Sequence, residues 1–157
     1  MALVRKATAG DIADVIQLER ACRTAAHWTE QQYRDLFADQ VPTRVALIAQ
    51  KDEAAETAGF LIARHLAPEF ELENIVVAEK FRRNGIGTQL MQAFLGLAKQ
   101  MSGESVILEV RESNGVARAL YERLGFQKNG KRKSYYSMPL EDAVLYWKDL
   151  REGPNSA

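Results

Sequence analysis

The sequence predicts an α/β (α+β) fold with a mixed, mostly antiparallel sheet of about seven strands and about four helices. Short apolar or alternating segments of strand length recur along the whole chain. Two of them, residues 71–78 and 106–110, flank a helical segment long enough to connect parallel strands. With 157 residues and a hydrophobic fraction of 46%, the chain can bury the core of one domain.

The N-terminal half has the pattern of a strand, two helices and an antiparallel meander. A strand at residues 3–7 precedes a helix that begins at Thr8, where Asp11 completes a capping box. Apolar residues at helical spacing form the inward face of this helix: Ile12, Val15, Leu18 and Cys22. Thr29 and Gln32 repeat the capping pattern and begin a short second helix. Three strands follow, at residues 44–50, 58–65 and 71–78, with a polar hairpin turn over 51–57.

The C-terminal half begins with a long amphipathic helix. Its apolar residues recur at helical spacing: Ile86, Leu90, Phe94, Leu97 and Met101. Gly103 interrupts the chain before the apolar strand at 106–110, and a further helix at 114–124 ends at Gly125. Strands near 126–132 and 142–148 complete the sheet. Since no linker or repeat divides the chain, we expect a single domain over residues 1–151 and a frayed tail over 152–157.

Composition excludes several classes of function. Lysine plus arginine equals aspartate plus glutamate, at 21 each, so the overall charge gives no reason to expect direct contact with nucleic acid or a membrane surface. No apolar stretch approaches the ~20 residues needed to cross a bilayer, and the N-terminus lacks a signal-peptide core, so we expect a cytoplasmic protein. A single cysteine, Cys22, excludes an internal disulfide, and neither His27 nor His65 has metal-ligand spacing.

The segment between the fourth strand and the long helix has the features of an anion-binding loop, Arg82-Arg83-Asn84-Gly85-Ile86-Gly87-Thr88. Its glycines lie where the first helical amides have no partners, and they carry no side chain that would hold an anion away from the backbone. The helix dipole and the two arginines add positive potential. The lysine of a P-loop is absent, and Leu90 stands where a dinucleotide fingerprint needs a third small residue. The alternative is a charged turn with a glycine cap.

The pattern Arg-x-x-Gly-x-Gly resembles the pyrophosphate loop of the GNAT superfamily of acyl-coenzyme A N-acyltransferases. Further matches follow in the second half of the chain: Leu108-Glu109-Val110-Arg111, Asn114, Ala117, Leu120-Tyr121 and Leu124-Gly125-Phe126. Within the superfamily the chain is similar to the ribosomal-protein-alanine N-acetyltransferases, which acetylate a protein's amino terminus. Smaller matches cover most of the remainder: Trp28-Thr29-Glu30, Asn74-Ile75, Tyr135-Tyr136 and Glu141-Asp142-Ala143. The chain departs from that family at His27, where proline is usual, and in a short segment before Glu141.

The resemblance implies a GNAT-type fold, acetyl-CoA as cosubstrate and direct attack of an amine on the acetyl thioester. It implies that Glu109 is the general base and that Tyr121 is the general acid for the departing thiolate, with Asn114 in contact with the coenzyme. Asn114 and Tyr121 are seven residues apart, about two helical turns, so they share a helix face. The alternatives are an ordinary ion-pairing glutamate, with Arg111 as the partner, a core tyrosine, and an asparagine that only caps its helix.

The same resemblance implies the remaining contacts. The backbone of Ile75, Val76 and Val77 would bind the pantetheine chain as if it were an added strand, and residues 82–88 would bind the pyrophosphate. The residues expected to line the peptide groove are Trp28, Glu73, Tyr135 and Tyr136, although packing at the core or rim explains each almost as well.

We therefore expect transfer of acetyl to the α-amine of a protein or peptide N-terminus by a monomer or weak dimer. The candidate acceptor is an N-terminal alanine of a small-subunit ribosomal protein. At pH 7 an α-amine is about 10% neutral, whereas a lysine amine with a pKa of ~10.4 is almost fully charged. The alternatives are an enzyme for a small amine or a lysine side chain, and a catalytically silent acyl-CoA sensor. A basic cluster is either a solvated hairpin or a surface for an acidic partner: Lys128, Lys131, Arg132 and Lys133.

Overall fold

The computed structural model describes residues 2–22, 25–38, 43–51, 56–137 and 140–151. Within these ranges, seven strands form one sheet in the order β1-β2-β3-β4-β5-β7-β6. The strands are β1 (Ala2–Lys6), β2 (Thr43–Lys51), β3 (Glu56–Leu66), β4 (Glu69–Val77), β5 (Ser105–Arg111), β6 (Gln127–Ser137) and β7 (Leu140–Asp149). The helices are α1 (Ile12–Ala21), α2 (Glu30–Asp35), α3 (Ile86–Gln100) and α4 (Gly115–Arg123), with short 3-10 turns at Ala9–Asp11 and Glu79–Phe81.

The number and order of the strands and helices confirm the expected mixed sheet. β1 to β4 form an antiparallel meander, and β4 pairs with β5 in parallel. Most boundaries lie within two residues of the expectation, and two differ by more. Thr8 caps a 3-10 turn that leads into α1, and β6 continues beyond residue 132 to Ser137, so that it contains the tyrosine pair. Of the hairpin turn predicted at residues 51–57, residue 51 belongs to β2 and residues 56 and 57 to β3. Residues 52–55 and the tail at 152–157 lie outside the described residues.

Helices cover both faces of the sheet, and each face has its own apolar cluster. On one face, residues of α3 and α4 pack against the sheet, with Leu90 and Phe94 fully buried. On the other face, Val15 of α1 and Tyr33 of α2 pack against Phe60. The apolar residues of α3 therefore form one buried stripe along the helix, as their helical spacing predicted. None of the helices in the described part of the chain is both long and apolar enough to cross a membrane.

A β-bulge in β4 changes the side of the sheet to which its residues point. The register against β3 shifts between Leu72 and Asn74, which leaves Glu73 as the extra residue. Before the bulge, Leu72 packs in the cluster under α3; after it, Ile75 does so, and Val76 joins the cluster under α1 and α2. The bulge thus brings two consecutive polar residues to the middle of the sheet.

The two central strands separate beyond this bulge. β4 and β5 pair only from Glu69 with Ser105 to Leu72 with Leu108. Residues 73–77 of β4 and 109–111 of β5 continue as strands without pairing to each other, although each stays paired to its outer neighbour. Backbone polar groups on the two inner edges are consequently left for a partner other than the neighbouring strand.

The buried carboxylate of Asp11 anchors the first turn. It accepts hydrogen bonds from the Arg5 guanidinium at 2.7 and 2.8 Å and from the backbone N–H of Thr8 at 2.7 Å. The hydrogen bond from Arg5 is the main cause that lowers the pKa of Asp11 to about 2. The ionised carboxylate is therefore more stable in the folded protein than in the unfolded chain.

Replacing this carboxylate in Asp11→Asn is expected to lower the free energy of unfolding at pH 7 by about 2 kcal/mol. A lowered carboxyl pKa stabilises the fold above the unfolded-state value of about 4, and the effect is lost as the pH falls towards 2. Urea unfolding of both proteins between about pH 7 and pH 2 measures this difference. A deficit of constant size across that range would contradict the assignment.

Candidate active site

A cavity of about 310 Å³ lies where β4 and β5 separate. Its walls come from the segment before α2, the diverging parts of β4 and β5, the start and inner face of α4, and β6. The lining residues are Ala25, Ala26, His27, Leu72, Glu73, Asn74, Ile75, Glu109, Val110, Arg111, Asn114, Ala117, Tyr121 and Tyr136. The opening in the sheet is thus a walled pocket that carries both acidic and phenolic side chains.

Glu109 belongs to this wall and stands near the end of β5, after the last residue of β5 that pairs with β4. Its side chain is 28% exposed and forms an ion pair with Arg132 of β6, with 3.1 Å between Nε and Oε1. Arg111, the partner suggested from the sequence, forms an ion pair with Glu141, also at 3.1 Å. Ion pairing and access to the cavity therefore coexist at Glu109.

Tyr121 both packs in the core and lines the cavity. Its ring packs in the core, with centroids 5.8 Å from Phe126 and 6.1 Å from Tyr146, and the residue is only 4% exposed. The same residue lines the cavity. Burial, and then the nearby Tyr136, raise the pKa of the Tyr121 phenol well above its ordinary value. The phenol therefore keeps its proton at neutral pH, and its hydroxyl can donate that proton to a ligand in the cavity.

Asn114 caps α4, which was one of the two roles that the sequence allowed for it. Its side-chain oxygen accepts the backbone N–H of Ala117 at 3.2 Å. It also lines the cavity, as does Tyr121 two turns further along the helix. One ligand in the cavity could thus lie against both residues.

The loop before α3 has the conformation that an anion-binding helix start requires. Arg83 and Gly85 have positive φ, at 67° and 75°, and the side chain of Asn84 donates to the carbonyl of Phe81 at 3.0 Å. The first backbone bond of α3 runs from the N–H of Gln89 to the carbonyl of Gly85 at 3.0 Å. The amides of residues 86–88 precede that bond, so they point out of the helix end without an intrahelical acceptor.

The two glycines of the loop are needed for different reasons. Gly85 has a left-handed backbone that a side chain would strain, although the space around it is open. A Cβ on Gly87 would meet Leu120 at 3.4 Å and Val77 at 3.8 Å, which are ordinary contacts. The fold therefore tolerates a side chain at position 87, and glycine there leaves the helix amides open to close approach. This loop fits a phosphate group.

The end of β4 supplies the extended edge that was expected to bind the pantetheine chain. Ile75, Val76 and Val77 lie beyond the last residue that pairs with β5, so their backbone faces the opening on that side. The separation of the strands, which the pattern of residues did not reveal, creates this edge. It leads directly to the loop at residues 82–88.

Glu73 and Trp28, both expected at the peptide groove, share one arginine. Glu73 lines the cavity and accepts two hydrogen bonds from Arg44, at 2.9 and 3.3 Å. The same guanidinium lies 5.6 Å from the centre of the Trp28 ring, which in turn packs against Tyr33 at 5.4 Å. Trp28 is not among the lining residues. The Glu73 carboxylate thus already has an ion-pair partner, and Trp28 packs on Arg44 and Tyr33 outside the cavity lining.

The tyrosine pair lies on β6 next to the Glu109 carboxylate. Tyr136 lines the cavity and has the Arg111 guanidinium 4.1 Å from its ring centre. Tyr135 is 50% exposed and outside the lining residues, with Arg132 at 5.3 Å from its ring. Burial and then Glu109 raise the pKa of Tyr136, and Glu109 is the main cause that raises the pKa of Tyr135. Both phenols are therefore protonated beside the carboxylate.

Two groups at the cavity were not predicted from the sequence. Arg132 was assigned only to the basic cluster, whereas the structure pairs it with Glu109. The segment Ala25 to His27 forms a wall of the cavity, and it is held by Glu19, which is 1% exposed. Glu19 follows Val15 by four residues on the inward stripe of α1, so a polar residue at an apolar position was the available signal.

The basic cluster on β6 does not present four free charges. Lys131 forms an ion pair with Glu112, and Arg132 with Glu109. Lys128 and Lys133 are exposed on the same edge strand. A docking role for this surface stays a prediction.

Both histidines have partners other than a metal. The Nδ1 of His27 lies 3.3 Å from a carboxylate oxygen of Glu19, and the His65 ring stacks on Phe70 with centroids 4.2 Å apart. Across the described ranges, no three side chains of histidine, cysteine, aspartate or glutamate come together in a way that could hold a metal ion.

Comparison with known proteins gives the same family. The model of the acetyltransferase (GNAT) family matches residues 12–126. A [ribosomal protein bS18]-alanine N-acetyltransferase of Salmonella typhimurium is 31% identical over 137 residues, which cover 86% of this chain and 88% of that protein. The crystal structure of the ribosomal-protein-S18-alanine N-acetyltransferase from Escherichia coli has 25% identity and a TM-score of 0.83, over 100% of this chain and 99% of the other. The crystal structure of Ard1 from Thermoplasma volcanium has 27% identity and a TM-score of 0.81, over 94% of this chain and 97% of the other.

The matched range contains the glycine-rich loop at residues 82–88, the separating strands and the cavity residues of β5 and α4. It covers well over half of the chain, and the similarity to solved structures extends over nearly all of it. The chain belongs to the acetyltransferase (GNAT) family and is an acetyl-CoA-dependent N-acetyltransferase.

Proposed function

We propose that this enzyme acetylates the N-terminal α-amine of a protein, and that an N-terminal alanine of a small-subunit ribosomal protein is its first candidate substrate. The observation that carries the proposal is the cavity between β4 and β5, whose wall contains both Glu109 and Tyr121 beside an anion-binding helix start. The names of similar proteins, which specify alanine of ribosomal protein bS18, support the choice of acceptor.

The residues that would hold acetyl-CoA follow the line of the opening. The amides of residues 86–88, together with Arg82 and Arg83, would bind the diphosphate at the start of α3. The free backbone edge of Ile75 to Val77 would bind the pantetheine amides, and Asn114 would contact the chain from the start of α4. These contacts direct the thioester into the cavity that contains Glu109.

Acetyl-CoA supplies an acyl thioester, and an amine attacks it only in the neutral form. The Glu109 carboxylate is proposed to take a proton from the acceptor ammonium before its nitrogen forms the new C–N bond, and the second proton that the nitrogen then loses replaces the one given to the sulfur. Tyr121 is proposed to give its phenolic proton to the sulfur as the C–S bond breaks, since its raised pKa keeps that proton in place at neutral pH. Glu109 thus accepts one proton, and Tyr121 donates one.

The choice of an α-amine lowers the cost of this chemistry. Its pKa near 8 lies well below the ~10.4 of a lysine amine, a difference worth roughly 3 kcal/mol in deprotonation at neutral pH. An acceptor on a ribosomal protein would place the reaction in the cytoplasm. All the residues in the proposed site come from one chain, so a monomer or weak dimer would suffice.

The acceptor is tested by incubating the enzyme with acetyl-CoA and a pool of ribosomal proteins, and by locating the added acetyl groups by mass spectrometry. We expect them on an N-terminal residue. Synthetic peptides with a free N-terminus should be turned over, whereas the same peptides with a blocked N-terminus and polyamines should not. Equal turnover of blocked peptides that contain lysine would contradict the proposal.

Removal of the phenolic proton donor in Tyr121→Phe is expected to lower kcat about a hundredfold while the affinity for acetyl-CoA changes little. The matched control is Tyr146→Phe, because Tyr146 packs against Tyr121 but its hydroxyl bonds to Arg118 and Glu122 outside the cavity lining. Steady-state kinetics and acetyl-CoA titration of both variants separate the two effects. An unchanged kcat in Tyr121→Phe would reject the acid role.

Replacement of the proposed base in Glu109→Gln is expected to lower kcat about a hundredfold at neutral pH, and more at lower pH, where fewer amines are already neutral. The loss should shrink as the pH rises towards the pKa of the acceptor amine. Glu112→Gln is the control, because Glu112 lies just beyond β5 and pairs with Lys131 but does not line the cavity. A loss in Glu109→Gln that is independent of pH would count against the base role.

A methyl group at the start of α3 should weaken cofactor binding. Gly87→Ala is expected to raise the Kd for acetyl-CoA about tenfold, because the Cβ of a residue in the first turn tilts towards the helix N-terminus, where the diphosphate would bind. Its stability should not fall, since the nearest atom lies at 3.4 Å. Gly96→Ala, in the same helix with no atom within 4 Å, is the matched control and should leave Kd unchanged. Equal Kd values for the two variants would show that the diphosphate does not bind at this loop.

A further inference from the structure

Glu19 is a buried carboxylate that the proposed chemistry does not use. It lies on α1 and is 1% exposed. Its Oε1 accepts the backbone N–H of Trp28 at 2.5 Å and the hydroxyl of Tyr33 at 2.9 Å, and its Oε2 lies 3.3 Å from Nδ1 of His27. A carboxylate that is removed from water requires such partners, and two of these three belong to one short segment of chain.

That segment is a wall of the cavity. Ala25, Ala26 and His27 line it, and residues 25–28 lie outside any helix or strand. A second contact holds the segment from the sheet, because the side-chain amide of Asn74 donates to the carbonyl of Ala26 at 3.1 Å. Asn74 directly follows the bulge residue of β4 and is itself buried. The segment is thus tied on one side to α1 and on the other to β4.

We propose that Glu19 is a positioning residue for the acceptor: it fixes the segment 25–28 as the wall that an incoming peptide N-terminus contacts. The inference rests on the proposed function, since it assigns the two sides of the cavity to different substrates. None of the partners of Glu19 belongs to the loop at 82–88, to α4 or to the free edge of β4 from residue 75 onward. Loss of Glu19 should therefore affect the acceptor and not acetyl-CoA.

Two substitutions distinguish positioning from simple filling of space. Glu19→Gln keeps the oxygen that accepts from Trp28 and Tyr33, and its amide can donate to the other tautomer of His27. Glu19→Met keeps the volume but removes every acceptor. We expect Glu19→Met to raise the acceptor KM about tenfold and Glu19→Gln to raise it less than about threefold. The Kd for acetyl-CoA should be unchanged in both.

Asp11→Asn is the matched control, because Asp11 is also a buried carboxylate near α1 but lies outside the cavity lining. It should lower stability and leave the acceptor KM at the wild-type value. A merely structural Glu19 would behave in the same way, so an unchanged acceptor KM in a folded Glu19→Met variant would overturn the inference. An equal rise in the acetyl-CoA Kd would overturn it as well.

A measurement on the unaltered enzyme keeps the inference testable if Glu19→Met does not fold. The Trp28 amide lies outside a strand or helix, so its bond to Glu19 should be the cause of slow hydrogen exchange at that position. Exchange at the rate of an open loop would overturn the inference. If the wild-type enzyme acetylates no free peptide N-terminus, the proposed acceptor is wrong; the Glu19 variants are then measured with the amine that is acetylated.

Discussion

The site depends on one constraint in the sheet, the end of pairing between β4 and β5 after Leu72 and Leu108. Parallel strands normally continue to share hydrogen bonds, and here the bulge at Glu73 shifts β4 before the separation begins. Each strand remains fixed on its outer side by β3 or β7, so the opening is held on both sides by intact ladders. A rigid sheet thus has free backbone groups at its centre, where an extended ligand can pair with them.

Charge around this opening is arranged in pairs. Three carboxylates at or beside the cavity each have an arginine partner: Glu73 with Arg44, Glu109 with Arg132 and Glu141 with Arg111. The partners come from different strands, so each pair also connects two strands on one side of the opening. Such pairing allows acidic side chains to stand in a half-buried position without the full cost of desolvation. The phenols of Tyr121 and Tyr136 remain neutral beside them, because burial raises the pKa of each.

The local patterns of the sequence predicted the elements well, since they are written in consecutive residues. The stripe from Ile86 to Met101 specified α3, and the capping pairs at Thr8 and Thr29 marked two helix starts, although the first proved to be a 3-10 turn. The pairing of Glu109 with Arg132 was not predicted, because an ion pair between β5 and β6 joins residues far apart in the chain. The role of Glu19 was missed for the same reason, since its partners lie beyond the end of its own helix.

The sequence by itself determined the family, the order of the strands and helices, and the glycine-rich start of α3, because motifs and periodicities involve neighbouring residues. Only the tertiary structure decided that β4 and β5 separate, that the segment at residues 25–27 faces the same cavity as Glu109, and that Arg132 reaches that carboxylate. These features depend on pairing register and on contacts between distant parts of the chain. A bulge of one residue changes both, and no local pattern of side chains shows where it will occur.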